Sequence, residues 1–195
     1  MRLPRLKHTQ HEQVFRNNGF WIYAQVGINI FFYQTETKNA GILRNNGRSK
    51  FKREYVADTL ELRRSPAICA HGDRYIWLTG GKHLASTERY DIRSGEWKSM
   101  PAMQDFRFDH ASCCLGKRWI YVMCGSSTTM DHADTIERLN LRKPTVWEVL
   151  NIPYNRQCSL PTGGVVATAG QVGKHEIAIL CSTEIFDEEG GYDDS

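Results

Sequence analysis

Two stretches of this chain repeat one another landmark by landmark, and that repetition limits the fold more than any property of composition. The first stretch reads Thr79-Gly80-Gly81, then Glu88-Arg89-Tyr90-Asp91, Trp97, Met100-Pro101-Ala102-Met103, Arg107 and His110. The second is weaker. Cys124-Gly125 stands for the double glycine, Ile136-Glu137-Arg138-Leu139-Asn140 for the Glu-Arg-Tyr-Asp stretch, and Trp147 with Ile152-Pro153 for the later landmarks. Matched tryptophans fall at 97 and 147 and matched glutamates at 88 and 137. The period is therefore about 50 residues, a length that marks a repeated supersecondary unit rather than a single continuous domain.

The residues between the landmarks read as short strands. Pro66–Ala70, Tyr75–Thr79, Ser86–Ile92 and Glu96–Ser99 form one set of four, parted by the turns His71-Gly72-Asp73, Gly80–Ala85 and Arg93-Ser94-Gly95. Ala111–Leu115, Trp119–Cys124, Thr135–Leu141 and Val146–Leu150 form the next, and Gly164–Ala169 with Glu176–Cys181 begin a third. Upstream, Phe20–Val26 and Ile28–Tyr33 are rich in aromatic and β-branched residues and suit two strands. Residues 34–53, rich in Asn, Gly, Lys and Arg, read as a long insertion or a locally disordered loop. No segment carries a sustained helical period, so the expectation is all-β.

These residues resemble the kelch repeat family, whose blades are four-stranded antiparallel sheets set radially about a channel. The resemblance implies an incomplete kelch-type β-propeller of about two full blades plus partial flanking blades. On that frame 1–19 is a basic N-terminal arm, 20–65 a degenerate partial blade with a polar insertion, and 66–109 a kelch repeat. Then 110–161 is a degenerate repeat, 162–187 a partial blade and 188–195 an acidic tail. Gly80-Gly81 match the double glycine that ends the second strand, of which the second unit keeps Gly125. Tyr90 matches the ring that ends the third strand, where the second unit has Leu139. Trp97 and Trp147 match the fourth-strand ring packed between neighbouring sheets. Glu88 and Glu137 lie two residues before Tyr90 and Leu139, hence on the same face of their strands. A buried carboxylate needs a partner, and Arg107 is the candidate for Glu88. Closed propellers have typically about 4–8 blades, so three arrangements stay open: part of a longer product, two copies completing one ring by self-association, or unrecognised strands in the terminal segments.

Composition narrows the setting. The net charge of +3 is too small to argue for nucleic acid. The basic stretch Arg44–Arg53 reads as a solvated insert, and nucleic acid is not an expected partner. Residues 1–65 hold 12 Lys/Arg against 5 Asp/Glu, whereas 184–195 hold 6 acids and no Lys/Arg. Cys69, Cys114, Cys124 and Cys181 lie in apolar strand-like runs, where a free thiol behaves as a small hydrophobe. With no signal-peptide pattern, no membrane-length apolar run and no Asn-x-Ser/Thr acceptor, the expectation is a reducing, cytoplasmic setting and no membrane.

Motifs of chemistry are sparse, and neither a cofactor nor a metal is expected. His8 and His11 have an H-x-x-H spacing, but no second pair completes a zinc set with His132 or Cys158. Adjacent Cys113 and Cys114 point to opposite faces of a strand. Gly173-Lys174-His175 lacks the rest of a phosphate loop. Asp105, Asp109, Asp131 and Asp134 fall in predicted turns, where Asp serves local hydrogen bonding. The Tyr, His and Cys–Tyr copper set of kelch-type oxidases has no counterpart.

The expected function is therefore a non-catalytic protein–protein interaction scaffold, recognising its partner through loops. The loops are Lys82–Ala85, Ser126–Ala133, Ala102–Asp109 and Pro153–Pro161, and the expected contact residues are Lys82, His83, Phe106, Arg107, Phe108 and Tyr154. The family resemblance also implies two alternatives: a propeller enzyme acting on a sugar (isomerase or oxidase type), or the substrate-recognition part of a ubiquitin ligase adaptor.

Overall fold

The computed structural model describes residues 21–47, 50–126, 135–150, 166–171 and 176–182. It is all-β. Among the described residues there is no helix, and none therefore long and apolar enough to cross a membrane. The first sheet is β1 (Trp21–Val26), β2 (Asn29–Gln34), β3 (Ala40–Asn45) and β4 (Phe51–Tyr55). The second is β5 (Ala67–His71), β6 (Tyr75–Thr79), β7 (Thr87–Asp91) and β8 (Glu96–Met100). The third is β9 (Ala111–Leu115), β10 (Trp119–Met123), β11 (Ile136–Asn140) and β12 (Trp147–Leu150). Each of these sheets is an antiparallel meander in chain order, and β13 (Val166–Gln171) pairs with β14 (Ile177–Ser182) in a two-stranded sheet.

The reading of 34–53 as a loop is corrected. Ala40-Gly41-Ile42-Leu43 builds β3, with Ala40 and Ile42 buried against the second sheet, and Phe51–Tyr55 is the outermost strand. The first sheet thus has four strands rather than a partial set. Its outer strand is polar because it pairs on one side only. Charges such as Lys52 and Arg53 are what an edge carries to resist pairing with another chain.

The sheets stack side by side through their first strands: β1 adjoins β5, β5 adjoins β9, and β9 adjoins β13. Each junction has its own apolar filling. Phe31, Tyr33 and Ile42 of the first sheet meet Ile76, Leu78 and Tyr90 of the second. Cys69 and Trp77 meet Ile120, Val122, Leu139 and Trp147 of the third, and Ala111 and Met123 continue toward Ala169, Ile177 and Ile179. The second strands β2 and β6 are buried on both faces and read as near-continuous apolar runs, whereas β7 and β11 alternate buried with partly exposed positions. Serial stacking of meanders in this manner is compatible with a β-propeller. No sheet closes on itself.

The β6 and β10 ends turn sharply at Gly80-Gly81 (φ 62° and 124°) and Cys124-Gly125 (φ 60° and 85°). Gly125 is doubly constrained, because a Cβ there would lie 2.5 Å from His110 Cβ and 2.6 Å from the Phe108 carbonyl oxygen. Gly125→Ala should destabilise the fold by about 2–3 kcal/mol through combined overpacking and left-handed strain. Urea denaturation measures this, and an unchanged midpoint would show that the neighbouring connection gives way freely.

Candidate functional site

In a meander the loops sort to two ends. The β5–β6 and β7–β8 turns share one end of the second sheet. The β6–β7 loop and the connection from β8 to β9 share the other. That second end gathers most of the residues expected to contact a partner, and it is built from the inside outward on a repeated ionic lattice.

Arg63 lies in the connection ahead of β5 and is fully buried. Its Nε and Nη2 donate to Glu88 Oε1 at 3.0 and 2.8 Å, and its Nη1 donates to the carbonyls of Gly80 (2.5 Å) and Ser86 (2.9 Å). The Glu88 carboxylate also accepts from the backbone amides of Leu60 (2.8 Å) and Glu61 (3.1 Å). The third sheet repeats the arrangement. Arg107 Nε and Nη2 reach Glu137 Oε1 at 3.4 and 3.3 Å, its Nη1 donates to the carbonyls of Cys124 and Thr135, and Nη2 also meets Thr135 Oγ1. Glu137 Oε2 accepts from the Gln104 amide at 2.7 Å. Each carboxylate therefore binds an arginine and the backbone of the connection that leads into its own sheet.

This overturns one expectation and moves another. The partner of Glu88 is Arg63, and Arg107 belongs to Glu137 in the next unit. Arg107 is 1% exposed, so its guanidinium is committed to the interior and is not presented as a contact residue. Arg63 was missed in sequence because it sits in a polar stretch. The signal existed: Arg63-Arg64-Ser65-Pro66 precedes β5 by the interval at which Arg107-Phe108-Asp109-His110 precedes β9. Ser65 and Asp109 even share a positive φ (50° and 52°).

The tryptophans fasten the same connections from the other side. Trp97 Nε1 donates to the Ala57 carbonyl and Trp147 Nε1 to the Pro101 carbonyl, both at 2.8 Å. Trp97 and Tyr90 pack ring to ring at 5.1 Å and reach Phe31 of the first sheet at 6.0 and 5.5 Å. Trp147 is buried against the second sheet. Both rings serve equivalent junctions.

His110, at the foot of the connection, meets Thr79 Oγ1 through Nε2 at 2.9 Å. Burial, then the nearby Arg107 and Arg63 guanidinium groups, push its pKa from 6.5 down to about 3. The ring is therefore neutral at ordinary pH.

Above this lattice Lys82 and His83 are exposed on the β6–β7 loop, and the Lys82 backbone N–H donates a hydrogen bond to the Arg64 carbonyl at 2.8 Å. His83 has φ 66°, and its ring faces that of half-buried Phe106 with centroids 6.3 Å apart. Phe108, also half-buried, exchanges backbone bonds with Ser126 at 3.1 and 2.9 Å, which pins one connection to the next loop. The expected loop Ser126–Ala133 is described only at Ser126, and Tyr154, Pro153–Pro161, His8, His11, His132 and Cys158 lie outside the described residues. Among the described residues, no three His, Cys, Asp or Glu side chains converge to hold a metal. Comparison with known protein families finds none that matches this sequence, and no curated protein matches it.

Two outcomes test the lattice. Arg63→Met should cost about 3–5 kcal/mol by stranding the Glu88 carboxylate, and Arg63→Met with Glu88→Gln should cost less than the two single changes summed. A double-mutant cycle by urea unfolding reads that coupling, and additive costs would show that the two groups act independently. For His110 the folded pKa lies below the unfolded one. Its contribution is complete above pH 6.5 and is lost as pH falls toward 3. The stability gap between wild type and His110→Gln should therefore change in the variant's favour between pH 7 and pH 4. Unfolding curves that stay a constant distance apart would place the histidine pKa near its ordinary value.

Proposed function

We propose that this chain is a kelch-like β-propeller segment acting as a non-catalytic scaffold, which binds a partner protein through the connection end of its sheets. The observation that carries the reading is the meeting of the β6–β7 loop with the β8–β9 connection, His83 against Phe106, above a buried ionic lattice. Recognition surfaces gain affinity when their loops are already ordered, since less freedom is lost on binding. Here both loops are tied at their bases by side-chain-to-backbone bonds from buried residues. The exposed Lys82 and His83 supply polar rim contacts beside a partly sheltered aromatic ring, a side-chain type enriched at protein interfaces. The kelch frame itself is supported by the double glycine turn, the paired glutamates and the two tryptophans at matched junctions.

Replacing Lys82, His83 and Phe106 together by Ala should reduce recovery of a chemically crosslinked partner at least tenfold while leaving the circular dichroism unchanged. Replacing Arg93 and Arg142, exposed in turns at the opposite end, should leave recovery intact. Equal loss from both variants, or from the second alone, would place recognition elsewhere.

A further inference from the structure

The junction between the second and third sheets contains a thiol pair within its apolar filling. Cys69 on β5 and Cys114 on β9 face each other across it, with their sulfur atoms 3.6 Å apart. Cys69 is buried and Cys114 is partly exposed, and both are free thiols. They lie on the first strands of two sheets that adjoin along their length, so neither is on a mobile loop. Cys113 alternates to the other face of β9 and its thiol donates to the Cys114 carbonyl oxygen at 3.5 Å, which leaves Cys69 as the thiol facing Cys114.

We propose that Cys69 and Cys114 form an oxidation site, closed to a disulfide by a hydroperoxide, that covalently ties the second sheet to the third. Closing the pair needs the sulfur separation to fall from 3.6 Å to the roughly 2.05 Å of a disulfide, a movement within reach of side-chain rotation. Hydrogen peroxide suits the site because it is among the smallest oxidants, and Cys114 is only partly exposed. The Cys114 thiolate attacks one peroxide oxygen and the O–O bond breaks, giving the sulfenic acid and hydroxide, which takes up the thiol proton as water. Cys69 sulfur then attacks the Cys114 sulfur. The S–OH bond breaks, the S–S bond forms, and the hydroxyl leaves with the Cys69 proton as a second water. Two thiols are oxidised and one peroxide is reduced. The hydrogen bond with Cys69, and then burial, hold the Cys114 thiol well above the usual thiol range. The first step is therefore slow at neutral pH, and oxidation answers sustained rather than passing exposure.

The test uses the whole chain treated with hydrogen peroxide, blocked with an alkylating reagent, digested without reduction and mapped by mass spectrometry. The expected product joins the Cys69 and Cys114 peptides with the loss of two hydrogens and is reversed by dithiothreitol. The melting temperature should rise by roughly 5–10 °C and fall back on reduction. Cys113→Ala should leave both results unchanged. Cys69→Ser should abolish the rise and leave a Cys114 sulfenic acid that dimedone traps. Recovery of Cys69 and Cys114 as intact thiols after the other cysteines have been oxidised would overturn the proposal. So would a dominant disulfide that joins either one to a different cysteine.

Discussion

A carboxylate removed from water must find a cation and enough donors for its remaining lone pairs, and this structure meets that demand with the chain's own connections. Glu88 and Glu137 sit buried on third strands. Their partners arrive on the segments that link one sheet to the next: Arg63 and the Leu60 and Glu61 amides for one, Arg107 and the Gln104 amide for the other. Against an apolar pair of equal volume, such an ion pair adds little net stability. Its consequence is positional. The connection can follow only the path that brings its arginine and amides to the waiting carboxylate, and the arginine then spends its other nitrogens on the carbonyls of the β6–β7 or β10–β11 loop.

Each sheet therefore organises the segment before it as well as its own strands. Trp97 and Trp147 act in the same direction, bonding to Ala57 and Pro101 where the preceding sheet's last strand has just ended. Stability in such an arrangement accumulates junction by junction, as in other stacked repeats. The junctions of the first sheet with the second and of the second with the third each combine an apolar filling with an indole bond and a buried ion pair.

The repeat at 66–150 was legible in sequence because its devices depend on residues with few substitutes: glycine at a positive φ, a buried acid, a large ring with one donor. In the first sheet β1 and β2 were legible as apolar strands, but β3 and β4 were not, because that sheet keeps the geometry and replaces the devices. Register places Ala40 opposite Tyr33 where the other sheets put Glu88 opposite Leu78 and Glu137 opposite Val122. Glu54 stands opposite Ile42 where Trp97 and Trp147 stand in their sheets, and Glu36 takes a positive φ of 64° where Gly81 does the same. The Tyr33 hydroxyl accepts from the Arg63 amide at 3.0 Å and donates to the Thr37 carbonyl at 2.6 Å, which ties the first sheet to the connection that leaves it. With Ala40 at the equivalent position, β3 carries no acid by which it would be recognised. The pairing of Arg63 with Glu88 was hidden for a different reason. Sequence spacing fixes which face a side chain lies on, but it does not say from which neighbouring connection its partner comes.

The opposite end of the sheets shows that the repeat extends beyond the landmarks that revealed it. Tyr75 opens β6 between Arg74 and Arg89, at 4.7 and 4.3 Å from its ring, and Trp119 opens β10 between Arg118 and Arg138, at 5.0 and 4.1 Å. These clamps lie near water, where a cation over a ring contributes on the order of 0.5–1 kcal/mol. Their ion pairs, Arg74 with Asp91 and Arg138 with Glu148, are partly exposed and open to screening. The two ends therefore differ in where their charge is balanced. At the turn end charge is balanced at the surface and can rearrange with little loss. At the connection end charge is balanced in the interior, and any movement of a loop base would expose an unpaired carboxylate or guanidinium. His83 and Phe106 meet at the second kind of end.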